Sequence, residues 1–411
     1  MDDKPTNLKE MLVEAKDASE LMVDLAYASL FFDDEHMAEA VLDLEEKLSD
    51  QMHDMRALAL LAVRHPREVD GMSSVLQVVS AIERIANDAV DIARIVTRHV
   101  GIPRQLVADL AQASEVSHRL AVSGGSHLAN RPLAEFELPV AVGMRVVAIQ
   151  RDGRWITDVD GDVIIQPGDV LFMRGDPAGI DRLRDLAGAP RWKPPQATEL
   201  GPLTDLDRAV DTLIEMKNLS ETAVGLAYSA LVLRDGSLAS EVEHLESRLD
   251  EMKTSLETWV LRAAADDLDP SKLRGLLHVA EAAEDLGDQA RQMVWIITES
   301  EDLHPVLALA LGDTDDVVVN MPVAEGSLAE GRSLGELNLP VEPGFNVLAI
   351  RRGGRYVHRP RKYVVLHAGD ELIASGPEEG QTRLAEICGF LFDHDEETGV
   401  TELVPLVTTR A

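Results

Sequence analysis

Carboxylates four residues apart are the first residues here whose spacing suits chemistry. Glu246 and Asp250 lie at i and i+4, as do Glu284 and Asp288 in the run AAEDLGDQA, and Glu46 and Asp50 earlier in the chain. Side chains at that spacing share one face of a helix. Two such pairs on adjacent helices would offer a hard divalent cation such as Mg²⁺ its oxygen ligands. The same pairs also read as solvated acids on a very acidic protein, and in the first half Glu83 is followed by Asn87, one carboxylate fewer. A second group comprises Arg145, Gln150 and Arg151, and then Asn346, Arg351 and Arg352. Planar guanidinium forks suit phosphate, although acids such as Asp152 and Glu342 stand near enough in sequence to pair with them.

No catalytic motif accompanies these residues. The sequence has no glycine-rich dinucleotide loop, no phosphate loop, no nucleophile elbow and no His-Glu-x-x-His. Its 12 histidines are scattered without ligand spacing, and His53, His118 and His367 are expected at the surface. Cys388 is the single cysteine, which excludes an internal disulfide and a cysteine metal cage. Ile387 and Phe390 beside it point to core packing. The reading is a protein that is not an enzyme.

Charge narrows the partners. With 73 acidic residues against 39 lysines and arginines, the formal net charge is -34. Such a field repels nucleic acid and anionic lipid. Acid-rich, lysine-poor composition fits a salt-rich cytosol, where screening tames self-repulsion; an ordinary acidic cytosolic protein is the alternative. The amino terminus MDDKPTN has neither the basic start nor the apolar core of a signal peptide. No run approaches the ~18–20 apolar residues of a membrane span. The expectation is a cytoplasmic protein that meets a membrane through a partner.

The elements that must position these residues come twice. Leu8, Met11, Leu12, Ala15, Met22 and Leu25 predict an amphipathic helix over 7–32. A second helix starts near Asp34, with the seam Met37, Val41, Leu44, Leu48, Met55, Leu58 and Ala62, and ends at His65-Pro66. A third runs over 67–99, and a short one is expected over 104–113. From residue 114 the period changes to two, and a small antiparallel sheet is predicted around the turns at Asp152-Gly153 and Gly168-Asp169. A helix over 176–186 closes it. After the linker APRWKPP the programme restarts: Leu25, Leu44 and Leu138 each find a counterpart 201 residues on, at Leu226, Leu245 and Leu339. A constant shift across helices and strands means duplication of a whole unit. The fold class is therefore α+β, two tandem repeats, each a three-helix bundle followed by a β-rich module. The expected boundaries are 1–113, 114–188, a linker at 189–203, 204–312, 313–389 and an acidic tail at 390–411.

The bundles resemble PhoU domains, on Glu83-Arg84-Ile85-Ala86-Asn87-Asp88 and Glu284-Asp285-Leu286-Gly287-Asp288. The modules resemble the TrkA-C (RCK-C) regulatory domain, on Arg131-Pro132-Leu133, 143–153 and Pro167-Gly168-Asp169-Val170-Leu171, and on Arg332-Ser333-Leu334, 344–354 and Ala368-Gly369-Asp370-Glu371-Leu372. The order is similar to archaeal proteins of the potassium-channel-family regulatory type. The NAD-binding half of a full TrkA protein and any pore are missing, so no NAD is expected. The resemblance implies a regulatory subunit of a membrane channel or transporter for a cation, potassium above all, and a homodimer. It implies cyclic di-AMP as a small-molecule nucleotide ligand between paired modules, at Arg145, Val147 and Ile149 and at Asn346, Leu348, Ile350 and Arg351. It also implies a divalent metal at Glu246, Asp250, Glu284 and Asp288. The alternatives are a metal-binding phosphate-signalling regulator and a structural adaptor without ligand.

Overall fold

The computed structural model describes residues 7–101, 116–191 apart from 153, 158 and 160, 204–265, 270–299, 304–311, 316–394 apart from 359, and 401–406. The helix expected over 104–113 and most of the proline-rich linker lie outside them. Helix α1 (Leu8–Phe32) starts where the Asn7 side chain accepts the Glu10 N–H, and stops at Asp33, whose backbone is left-handed. Asp34 then caps α2 (Glu35–Ala62) by accepting the Met37 N–H, so a two-residue turn reverses the chain. Helix α3 (Val69–Thr97) follows the turn at Pro66–Glu68. The second set is α6 (Asp205–Leu233), opened by a Thr204/Asp207 capping box, α7 (Gly236–Ala265) and α8 (Pro270–Glu299). Along α2 the buried line is Met37, Val41, Leu48, Met52, Met55 and Ala59, while Leu58 and Ala62 are exposed. The expected seven-residue seam drifts because a straight helix turns every 3.6 residues, not 3.5.

Each β-module is one four-stranded sheet. In the first, β1 (Val116–Ala121), β6 (Val170–Gly175), β3 (Met144–Arg151) and β4 (Arg154–Ile156) lie in the order β1-β6-β3-β4. A two-stranded ribbon of β2 (Arg131–Pro132) and β5 (Ile164–Ile165) flanks it, with the short α4 (Leu138–Val142) before β3 and α5 (Ile180–Leu186) closing the module. The short helix α9 (Pro305–Leu311) precedes the second module, where β7 (Asp316–Pro322), α10 (Leu334–Leu337), β8 (Asn346–Arg352), β9 (Arg355–His358), β10 (Glu371–Pro377) and α11 (Gln381–Cys388) repeat the plan in the order β7-β10-β8-β9. Register shifts interrupt both β3–β6 and β8–β10, where Val147 and Leu348 are the extra residues.

Two expectations change. His118 is buried in β1, not at the surface, because Arg184 approaches its Nε2 to 3.2 Å and fills its hydrogen-bonding need. Burial and the Arg184 charge push its pKa down to about 4. The segment expected as an acidic tail contains a hairpin, β11 (Phe390–His394) with β12 (Thr401–Pro405). Phe390, Phe392 and Leu403 pack on the second module's core, which explains why these apolar residues follow Cys388.

In sequence the order is bundle, module, bundle, module; in space like joins like. One compact unit holds both bundles, and the other holds both modules. Within the helical unit α3 packs on α8, and α9 lies on α1 and α6.

Candidate functional site: a module junction and a carboxylate layer

The two modules meet through reciprocal backbone contact. Gly143 has φ +66°, and a Cβ there would lie 2.2 Å from the Pro340 carbonyl oxygen; Gly344 has φ +91°, and its Cβ would lie 2.5 Å from that of Pro139. Both the left-handed backbone and the closeness require glycine. The sequence places these residues 201 apart, so each module presents the same surface to the other. Lys362 adds a contact across the junction, its Nζ 3.4 Å from Asp176 Oδ2.

Of the expected ligand residues, Arg145 is the second residue of β3 and Asn346 the first of β8, each two positions after one of these glycines, and both are half-buried. Val147 and Leu348, also half-buried, sit at the bulges, which re-aim side chains. Ile149 and Ile350 are fully buried, placed by the shift in register among the module cores rather than on the half-buried face. Arg351 pairs with Glu371 of the neighbouring strand.

The remaining arginines build a structural clamp. Arg151 Nε and Nη2 donate to the two Asp169 carboxylate oxygens at 2.8 Å, and Nη2 also donates to the Ile164 carbonyl. Arg352 repeats this on Asp370 and the Val365 carbonyl. The buried carboxylates also accept the Gln166 and His367 N–H groups. Burial alone would raise the pKa of Asp169 and Asp370, but these hydrogen bonds and the arginine charge win and hold both below the usual range. The partners are Asp169 and Asp370, not the Asp152 and Glu342 named from sequence.

On the second bundle, Glu246 and Asp250 of α7 and Glu284 and Asp288 of α8 form one layer between antiparallel helices. Arg291 caps one end, 3.0 Å from both Glu246 and Asp288, and Lys253 caps the other, 2.7 Å from Glu284. Burial first, and then the opposing carboxylates Asp288 and Asp250, raise the pKa of Glu246 and Glu284 against the pull of Arg291 and Lys253. Among the described residues no three His, Cys, Asp or Glu are arranged to hold a metal ion. In this arrangement the carboxylates face two side-chain cations, Arg291 and Lys253. In the first bundle the positions 201 residues earlier are Glu45, Ser49, Glu83 and Asn87. Glu46 and Asp50 are exposed, one helical position off that face, and Arg56 takes Glu83.

Sequence reasoning missed the bundle seam. Lys16, only 3% exposed, bonds Glu20 and lies over the Tyr228 ring, 5.3 Å from its centroid; Lys217 bonds Glu221 and lies 5.0 Å over Tyr27. The signal was available: lysine and tyrosine both recur at the 201-residue shift, and buried lysines are rare. Near them Asp88 on α3 faces Asp285 and Asp288 on α8, and Arg84 donates to Gln292 across the same crossing.

A duplicated three-helix bundle alternating with a duplicated antiparallel module is what the geometry defines. The family models give it names: PhoU domains at 12–96 and 213–297, and TrkA-C domains at 118–188 and 318–389. The chain belongs to the proteins built of these two domains, each present twice. It is similar to the solved phosphate transport system regulatory protein PhoU from Streptococcus pneumoniae, at 12% identity and TM-score 0.41 over 72% of this chain and 95% of that one. It is similar also to PhoU from Pseudomonas aeruginosa, at 14% identity and TM-score 0.39 over 71% and 93%. The GsuK channel bound to NAD matches at 14% identity and TM-score 0.18 over 78% and 65%. No curated protein matches the chain. PhoU and TrkA-C domains are regulatory, which fits a protein that is not an enzyme. No helix among the described residues is long and apolar enough to cross a membrane.

Proposed function

We propose that this regulatory protein controls a membrane channel or transporter for a cation, potassium above all, by sensing a small ligand at the junction of its two TrkA-C modules. The observation that carries the reading is the reciprocal Gly143–Pro340 and Gly344–Pro139 contact within one chain. It supplies a two-sided site in which Arg145 and Asn346 stand at equivalent approaches, and a ligand shifts an arrangement only by binding one form better than another. Cyclic di-AMP, itself two-fold symmetric with two phosphates, is the probe we choose. Isothermal titration in high potassium salt is expected to show micromolar binding, lost in Asn346→Ala/Arg145→Ala. Absence of heat in the wild type overturns the nucleotide reading.

A second reading, a metal-responsive phosphate-signalling regulator, rests on the carboxylate layer. Asp288 stands beside Glu246 and Asp250 beside Glu284, like charges that a dication would relieve once Arg291 and Lys253 swing away. It predicts a rise in melting temperature with millimolar Mg²⁺ that Glu284→Ala abolishes.

A further inference from the structure

A groove in the helical unit is used neither by the bundle seam nor by the carboxylate layer. It lies where α1 begins, α2 ends and α3 and α9 begin, and its volume is about 520 Å³. Leu8, Val63, Met72 and Val306 supply an apolar lining, and of these only Met72 is buried; the others are half-exposed. Lys9, Arg64 and His304 supply a basic one. Glu68 also lines the groove, its carboxylate accepting the Arg64 and His65 backbone N–H groups. The stretch 55–67 holds no acid, in a chain of net charge -34. Duplication does not account for the charge. At the 201-residue shift Leu8 and Met72 find the apolar Ala209 and Leu273, whereas Lys9 becomes Val210 and Arg64 becomes Ala265. In the last turn of α2, beside the lining residues, Leu60 and Leu61 are 69% and 77% exposed.

We propose that this groove binds a small anionic amphiphile, an acyl chain ending in a carboxylate or phosphate. The chain lies along Leu8, Val63, Met72 and Val306, and the head group meets Arg64 and His304. Volume selects the class of occupant. Small-molecule pockets run to about 300–1,000 Å³ and are mostly apolar with a few placed polar groups. A partner helix, ~10–12 Å across with its side chains, would rest on such a groove rather than enter it. Chemistry selects the ligand. A bare phosphate would leave the apolar lining in water, and a neutral alkyl chain would gain nothing from the guanidinium; an amphiphile uses both. Basic residues near a helix end often only offset its dipole, and Arg64 follows the end of α2 in that way. Lys9 and His304, however, stand at the starts of α1 and α9, where the dipole disfavours cations. The site is separate from the module junction, so either reading can fail without the other.

The test is isothermal titration of the full chain with decanoate, below its micelle concentration. Submillimolar binding of one equivalent per chain is expected. Octanoate, shorter by two methylenes, is expected to bind roughly tenfold more weakly. Arg64→Glu is expected to weaken decanoate by roughly ten- to hundredfold, and Val306→Asp to abolish its binding. Decanol, the chain without the charge, and inorganic phosphate, the charge without the chain, are each expected to bind far more weakly than decanoate. The tighter of decanoate and decyl phosphate names the head group. No heat with decanoate or decyl phosphate at millimolar concentration overturns the proposal. So does binding indifferent to both substitutions, or decanol or phosphate binding as tightly as decanoate. A chain that ignores both amphiphiles but sediments with vesicles of anionic lipid, and loses this in Leu60→Ser/Leu61→Ser, overturns it in favour of a membrane contact. Arg64 is exposed, so Arg64→Glu keeps the test decisive even where Val306→Asp fails to fold, and circular dichroism of each variant separates lost binding from lost structure.

Discussion

Asp169 and Asp370 are each only 1% exposed, and each is held by a two-pronged guanidinium and a backbone N–H. Removing the arginine leaves a buried carboxylate without its counter-charge, a loss of about 3 kcal/mol or more. Arg151→Ala and Arg352→Ala are therefore expected to lower the urea midpoint of the module unit strongly, whereas Arg361→Ala, exposed on the same module, leaves it nearly unchanged. Asp88 is the opposite case. Burial, then the charges of Asp285 and Asp91, lift its pKa to about 8 despite Arg84. The folded protein thus holds this proton more tightly than the unfolded chain does. Its contribution is complete below the ordinary carboxylate range and is lost as pH rises from about 4 to about 8. Asp88→Asn is expected to raise the melting temperature at about pH 8.5 and to change it little at about pH 5, measured in thermal scans. The Asp88 and Asp169 environments could not be read from sequence, since both are set by residues that only folding brings near.

At the scale of elements, the seam between bundles joins buried ammonium groups to aromatic rings of the opposite bundle. Among the described residues the buried Tyr27 and Tyr228 hydroxyls make no hydrogen bond of normal geometry, although the Ser220 and Ser19 hydroxyls stand near them. Removing an unsatisfied hydroxyl is near neutral or stabilising, while removing the ammonium strands its glutamate and forfeits the ring contact. Tyr27→Phe and Tyr228→Phe are expected to change stability by less than about 1 kcal/mol, and Lys16→Ala and Lys217→Ala to destabilise by more than that, in denaturant titrations. Helix and strand elements were legible because period and turn chemistry are local: Asn7, Asp34 and His65-Pro66 mark ends that the caps confirm. The hairpin after Cys388 was not, because its apolar residues Phe390, Phe392 and Leu403 are few and their partner is a distant core. The bulges at Val147 and Leu348 were hidden as well, so Ile149 and Ile350 could not be told from surface-facing residues.

For the whole molecule, the 201-residue repeat disclosed the duplication at once and the resemblance implied paired modules, but not that they pair within one chain or that the two bundles pack together as well. That choice depends on how the surface of one copy fits the other, and only the glycines Gly143 and Gly344 hinted at it. The same contact has a bearing on gene dosage. Two modules tied by one chain meet at an effective concentration fixed by the tether, so dilution does not separate them and separate chains do not trade halves. A mixed population of wild-type and Gly344-altered chains would therefore hold intact junctions in every wild-type molecule.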